Sequence, residues 1–132
     1  MSSIIKVVAL ALQRSLDSRY MVARRAPSQS GAGFWEFPGG KIDQGETQVA
    51  ALIREIQEEF GFTLKANDLS FFAENSHQYP TCKVHLFLWT AKLDIIPDMN
   101  LTDHDLVAWC KPSEMKNYNI SAADVYFINK LL

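Results

Sequence analysis

Two cysteines in 132 residues are too few for a disulfide framework. Cys82 and Cys110 also form no C-x-x-C pair, so both are expected as reduced thiols and the compartment as cytoplasmic. No apolar run approaches the roughly 18 residues of a membrane span. Ile4 to Leu12 is broken by Lys6 and has no cleavage pattern, so no secretory leader is expected. Basic residues are not in excess: 13 Lys and Arg stand against 15 Asp and Glu, a formal charge of −2. That balance argues against broad electrostatic binding to duplex nucleic acid. His77, His85 and His104 have no metal-ligand spacing and are expected to be structural or at the surface. The sequence has no internal repeat and no low-complexity tract. What is left, 48% apolar and 21% charged residues, is the composition of an ordinary globular chain. The length fits one domain, residues 1–132.

Ile4 to Leu12 is apolar and reads as a buried strand, and Ser15 to Ser18 as a turn. Tyr20 to Arg25 reads as the partner strand. Ala26 to Ala32, with its Pro, Ser and Gly, reads as a loop. Leu69 to Ala73 and Val84 to Leu93 are expected strands, with a loop or irregular edge over Asn75 to Thr81, where Pro80 falls. Asp94 to Asp105 is a polar loop of about a dozen residues, a length often tied to function. Leu106 to Cys110 is a further short strand. Ser121 to Leu132 reads as a closing helix, with Ser121 and Asp124 as a capping box and Val125, Ile128 and Leu132 as its buried stripe. Strands on both sides of a central helix, then a terminal helix, suggest a mixed sheet packed between helices.

The central helix lies in GGKIDQGETQVAALIREIQEEFGF, Gly39 to Phe62. Thr47 is its expected N-cap and Gly61 its C-terminal stop. Val49, Leu52, Ile53, Ile56 and Phe60 recur at helical spacing and form the core stripe. Glu55, Glu58 and Glu59 follow at i, i+3 and i+4 and gather on a different face. Like charges so spaced repel, and a hard divalent cation would remove the repulsion. Gly39-Gly40 and Gly45 read as glycine turns permitting unusual backbone angles and a close approach to a ligand. Glu46, at the helix entrance, can turn back toward the carboxylates.

This arrangement resembles the signature of the Nudix hydrolases, G-x5-E-x7-R-E-U-x-E-E-x-G-U, with U a bulky apolar residue. Gly40, Glu46, Arg54, Glu55, Ile56, Glu58, Glu59, Gly61 and Phe62 fill every fixed position. The runs VARRAP, GFWEFPGGKIDQGET, VHLFLW, VAWCKPSEM and ISAADV extend the likeness to MutT-type nucleoside triphosphate pyrophosphohydrolases. The resemblance implies an α/β (α+β) fold, an α/β/α sandwich with a central mixed sheet. It also implies Mg²⁺-dependent cleavage of a (d)NTP to (d)NMP and pyrophosphate, with Mn²⁺ as a substitute and an oxidised or non-standard base such as 8-oxo-dGTP as substrate. The implied partner is a small nucleotide, with no duplex nucleic acid and no membrane. The sequence specifies no oligomeric state.

By the same resemblance Glu55, Glu58 and Glu59 are metal residues, with the carbonyl of Gly39 a further ligand and Glu46 supporting them. Arg54 orients a glutamate. The general base is Glu55 itself or a loop acid, Asp103 or Asp105. Arg25 and Lys41 meet substrate, Phe37 walls the base pocket, and Asp124 sits where the MutT type reads the base. An ionised carboxylate there would suit a base edge presenting N–H donors, as oxidised guanine does with N7–H, cytosine with its N4 amine and adenine with its N6 amine. Two other activities stay open. One is pyrophosphate removal from triphosphorylated RNA 5′ ends. The other is a non-catalytic base-recognition module, although such modules usually lose glutamates that this chain keeps.

Overall fold

The computed structural model describes residues 3–132, so Met1 and Ser2 lie outside the described residues. The strands are β1 (Ser3–Arg14), β2 (Tyr20–Arg25), β3 (Trp35–Glu36), β4 (Gly39–Lys41), β5 (Ser70–Gln78), β6 (Cys82–Leu93) and β7 (His104–Cys110). The α-helices are α1 (Gln48–Phe60) and α2 (Ala122–Leu131). All seven strands join one mixed sheet, β3-β2-β1-β6-β5, with β4 paired to β1 and β7 to β2. The long pairing is parallel, Ser3 with Cys82 through Arg14 with Leu93. A parallel pair needs a crossover, and α1 lies in the connection.

β1 explains the layering. Its apolar run is buried on both faces because a helix covers each. Val8, Leu10 and Leu12 meet Leu52, Ile56 and Phe60 of α1. Ala9 and Ala11 face the other way, into the cluster of Leu86, Leu88, Met115 and Phe127 of α2. The result is the expected α/β/α sandwich. Among the described residues no helix is long and apolar enough to cross a membrane.

Helix α1 begins and ends by local chemistry. The Thr47 hydroxyl accepts the Ala50 N–H at 3.1 Å. Gly61 takes φ 77° and donates its N–H to the Gln57 carbonyl, a left-handed stop that glycine adopts without strain. Ile56 is wholly buried on this helix. Truncating it in Ile56→Ala should lower stability by about 2–5 kcal/mol, read as a shifted urea midpoint. An unchanged midpoint would mean that the helix packs by another face.

Three expectations need correction. Of the two alternatives for Asn75 to Thr81, the edge holds as far as Gln78 and the loop does not: β5 lies at the sheet edge and continues to Gln78, pairing Ser76 with His85 and His77 with Val84. An edge strand needs only backbone partners on one side, so its polar side chains are no obstacle, and Pro80 falls in the hairpin turn. Gly39 and Gly40 form no turn; they are strand residues paired with Ala9 and Val8. Their reason for being glycine is space, since a Cβ on Gly39 would overlap the Val8 carbonyl and one on Gly40 the Glu55 carboxylate. Helix α2 is rotated from the expected stripe: Val125 and Leu132 are exposed, while Ala123, Asp124 and Phe127 are buried. Ser121 makes no side-chain cap, and Asp124 points into the protein to accept the Phe37 N–H at 2.9 Å. That buried bond and the wholly buried Phe127 ring set the rotation.

Candidate active site

Arg54 organises one end of the site. Its Nε and Nη2 donate to the two oxygens of Glu46 at 2.8 and 2.9 Å. Nη1 donates to Glu55 Oε1 at 2.9 Å and, less closely, to Glu58 Oε2 at 3.3 Å. Nη2 also donates to the Lys41 carbonyl at 3.1 Å, tying the helix to β4. The bidentate grip on Glu46 holds its carboxyl at about 2, below the ordinary 4.5. Glu55 moves the other way, because burial raises it against the pull of Arg54. Gly40 leaves the room that the Glu55 carboxylate occupies.

The three helix carboxylates are not equivalent. Glu58 is largely exposed, Glu55 is mostly covered, and Glu59 is buried. Glu59 therefore lies at the border of the core stripe rather than on an open acidic face. Its Oε2 is buried without a hydrogen-bond partner among the described residues. Burial, and then the facing Asp103 carboxylate, pushes Glu59 up to about 9. The loop carrying Asp103 is docked on the end of α1 by Asn100 N–H to the Phe60 carbonyl at 2.9 Å and Thr102 N–H to the Glu59 carbonyl at 3.3 Å. Asp105 is elsewhere, paired bidentately with Arg24 at 2.8 Å. Of the two loop acids, only Asp103 joins the helix carboxylates.

A buried carboxyl oxygen with no donor, beside a second carboxyl group, offers hard oxygens that a bound cation would hold in their ionised form. The ligands on offer are hard oxygens, which favour Mg²⁺ or Mn²⁺ over softer metals. Among the described residues no three acidic, His or Cys side chains already converge on one point, and Arg54 engages Glu55. The donor set fits a divalent cation by its chemistry.

The other end is a cleft. A pocket of about 430 Å³ is walled by Val7, Val84 and Leu86, with Arg25, Glu36 and Asp124 as polar groups. A smaller hollow of about 200 Å³ shares Arg25, Glu36 and Asp124 and continues past Gly39, Gly40 and Lys41. The cleft thus leads from an apolar chamber to the strand against which Glu55 rests. Phe37 is buried and borders the smaller hollow, and its N–H anchors Asp124. Burial, and then the charge of Glu36, raises Asp124 to about 7.

Two residues emerge that the sequence did not single out. Glu36 Oε2 accepts from Arg25 Nη1 at 3.2 Å and lies 3.0 Å from His104 Nε2. The His104 side chain is fully buried and stacks on Phe60, with centroids 5.1 Å apart. His104 is therefore neither a surface residue nor an isolated core ring. A β-bulge between Arg24 and Arg25 accompanies the divergence of these two side chains. Arg24 goes to Asp105, whereas Arg25 goes to Glu36 and, through Nε, to the Ser30 carbonyl at 2.6 Å. The only sequence signals were an acid two residues before Pro38 and a histidine following Asp103.

Residues 5–131 match the model of the NUDIX domain. The chain is 33% identical over 125 residues to the CTP pyrophosphohydrolase of Escherichia coli (strain K12), covering 92% of this chain and 86% of that protein. It is 35% identical over 82 residues to the 8-oxo-dGTP diphosphatase of the same organism, covering 62% of each. Among solved structures, the E. coli ORF135 protein superposes with a TM-score of 0.79 at 29% identity, covering 97% of this chain and 88% of that one. A MutT protein from Methanosarcina mazei Go1 gives 0.85 at 20% identity, covering 98% and 94%, a likeness of fold.

Proposed function

The chain belongs to the Nudix hydrolase family and is a MutT-like pyrophosphohydrolase acting on nucleotides, and from that premise we propose that its single domain cleaves a (d)NTP to the monophosphate and pyrophosphate with Mg²⁺, Mn²⁺ substituting. The observation that carries this reading is the continuous cleft. An apolar chamber with a few polar groups suits a base and sugar, and it leads to Gly39, Gly40 and Lys41, on the strand against which the Glu55 carboxylate rests. A triphosphate laid along it would place its phosphates beside Glu55 and Glu59.

The residues take the following roles. Glu55, Glu58 and Glu59 would hold the cation, with the Gly39 carbonyl and Glu46 in support. When bound, the cation supplies charge neutralisation at phosphate oxygens and a more acidic water. Arg54 keeps Glu46 and Glu55 in place, and Lys41 and Arg25 balance substrate charge. Asp103 takes the proton of the attacking water, being the loop acid beside Glu59 and free of a guanidinium partner. Asp105 is committed to Arg24 and has no such role.

The base is one that presents an N–H to Asp124. Oxidised guanine does so with N7–H, which favours 8-oxo-dGTP and a role in cleaning the nucleotide pool. Cytosine does so with its N4 amine. This second reading is favoured by the relative matched over 92% of the chain, a CTP pyrophosphohydrolase. A panel of 8-oxo-dGTP, dGTP, CTP, dATP and 5′-triphosphorylated RNA, with Mg²⁺ and with EDTA, tests both. Preference for either proposed base supports the reading, and preference for RNA ends would replace it.

Arg54→Lys keeps the charge but loses the planar fork that grips Glu46. Activity should fall about 10–100-fold, as when the support of a metal ligand is removed. Unchanged kcat/KM at limiting Mg²⁺ would show that the fork is dispensable.

A further inference from the structure

The larger pocket is lined by Tyr79, whose hydroxyl has its hydrogen bonding half complete. Tyr79 stands in the β5–β6 hairpin, where its N–H donates to the Cys82 carbonyl at 2.8 Å. Its ring meets His77 edge-on, with centroids 4.6 Å apart. The Tyr79 oxygen accepts the Ala123 N–H at 3.1 Å, in the first turn of α2. Ser121 gives that helix no side-chain acceptor, so the tyrosine oxygen does the capping. A phenol also carries one O–H donor. Among the described residues no group accepts it in a hydrogen bond. Tyr79 and Asp124 line the same pocket, and Asp124 lies one residue beyond the N–H that Tyr79 accepts.

We propose that Tyr79 is a specificity-determining residue whose hydroxyl donates to an acceptor on the base, beside the N–H group that Asp124 accepts. The inference rests on the pocket being the base site. Tyr79 and Asp124 then present a donor and an acceptor, and both proposed bases carry the complementary edge. Oxidised guanine places N7–H next to O6, and cytosine places its N4 amine next to N3. On that same N7–O6 edge ordinary guanine offers two acceptors, so Asp124 would face a lone pair there. The bond to Ala123 holds the tyrosine oxygen before substrate arrives, which limits the ordering that binding must impose.

Tyr79→Phe keeps the ring and removes the hydroxyl. Two sets of measurements test it: kcat/KM for 8-oxo-dGTP, dGTP, CTP and 3-deaza-CTP, and metal-free affinity for 8-oxo-dGMP and CMP by calorimetry. The loss for the preferred base should be about tenfold, carried mainly by KM, against less than about twofold for dGTP. Affinity for the matching monophosphate should fall by the same factor. If CTP is preferred, wild type should lose about tenfold on 3-deaza-CTP, and Tyr79→Phe should add little to that loss. A uniform loss over all bases, or a lower Tm with the ranking intact, would overturn the proposal and leave Tyr79 a helix cap. If wild type cleaves no triphosphate yet binds a monophosphate with Tyr79-dependent selectivity, the hydrolytic reading fails and the Tyr79 assignment stands.

Discussion

Glu59→Gln should lower kcat with Mg²⁺ by about 10²–10³-fold, the loss typical of one well-placed charge-stabilising group. The same substitution should raise the Tm of the metal-free protein at pH 8 by about 2–5 °C. Both effects follow from one side chain. Buried beside Asp103, Glu59 is pushed up to about 9 from an ordinary 4.5. The folded protein keeps a proton there that the unfolded chain releases. The group's contribution to stability is therefore complete below about pH 4.5 and is lost as pH rises toward 9. Glutamine cannot ionise, so its advantage grows over that window and is absent at pH 4. A variant with near-normal activity, or one less stable at pH 8, would remove Glu59 from the role assigned to it.

Asp124 carries the second large effect. Asp124→Ala should lower kcat/KM for the preferred base by one to two decades and for other bases much less. A lost hydrogen bond to a charged group contributes on the order of 1.5–3 kcal/mol. Asp124→Asn keeps an acceptor for Phe37 N–H and adds donors, so selectivity should move toward bases that present an acceptor edge. The pH dependence separates stability from recognition. Asp124 is raised from 3.8 to about 7, so its stabilising contribution is complete below pH 3.8 and lost as pH rises through 7. The ionised carboxylate accepts a base N–H more strongly than the protonated acid, which can also turn an O–H toward a base acceptor, so discrimination should weaken as pH falls below about 7. Equal losses on every base in both variants would leave Asp124 a structural anchor.

How much of this was legible in the sequence depended on how local the causes were. Helix α1 could be read because its cap, its stop and its apolar stripe lie within one short run, Thr47 to Gly61. The rotation of α2 could not, because the partner of Asp124 is an N–H 87 residues away. The same distance problem hid His104, whose partner Glu36 is 68 residues distant. The strand character of Asn75 to Gln78 was invisible because it comes from the β6 backbone and not from its own polar side chains. The carboxylates were found, but their unequal burial was not, since spacing on a helix says nothing of what covers Glu59. Asp103 and Asp105 were indistinguishable in sequence. Arg24 separates them in space.

Cleavage is expected between the α- and β-phosphates, at a cation-dependent carboxylate site. The most direct measurement is product identity by ³¹P NMR, with 8-oxo-dGTP and CTP as substrates and Mg²⁺ or EDTA in the buffer. Equimolar monophosphate and pyrophosphate with Mg²⁺, and no turnover with EDTA, is the expected result. Diphosphate with inorganic phosphate, or turnover that EDTA leaves intact, would contradict the account.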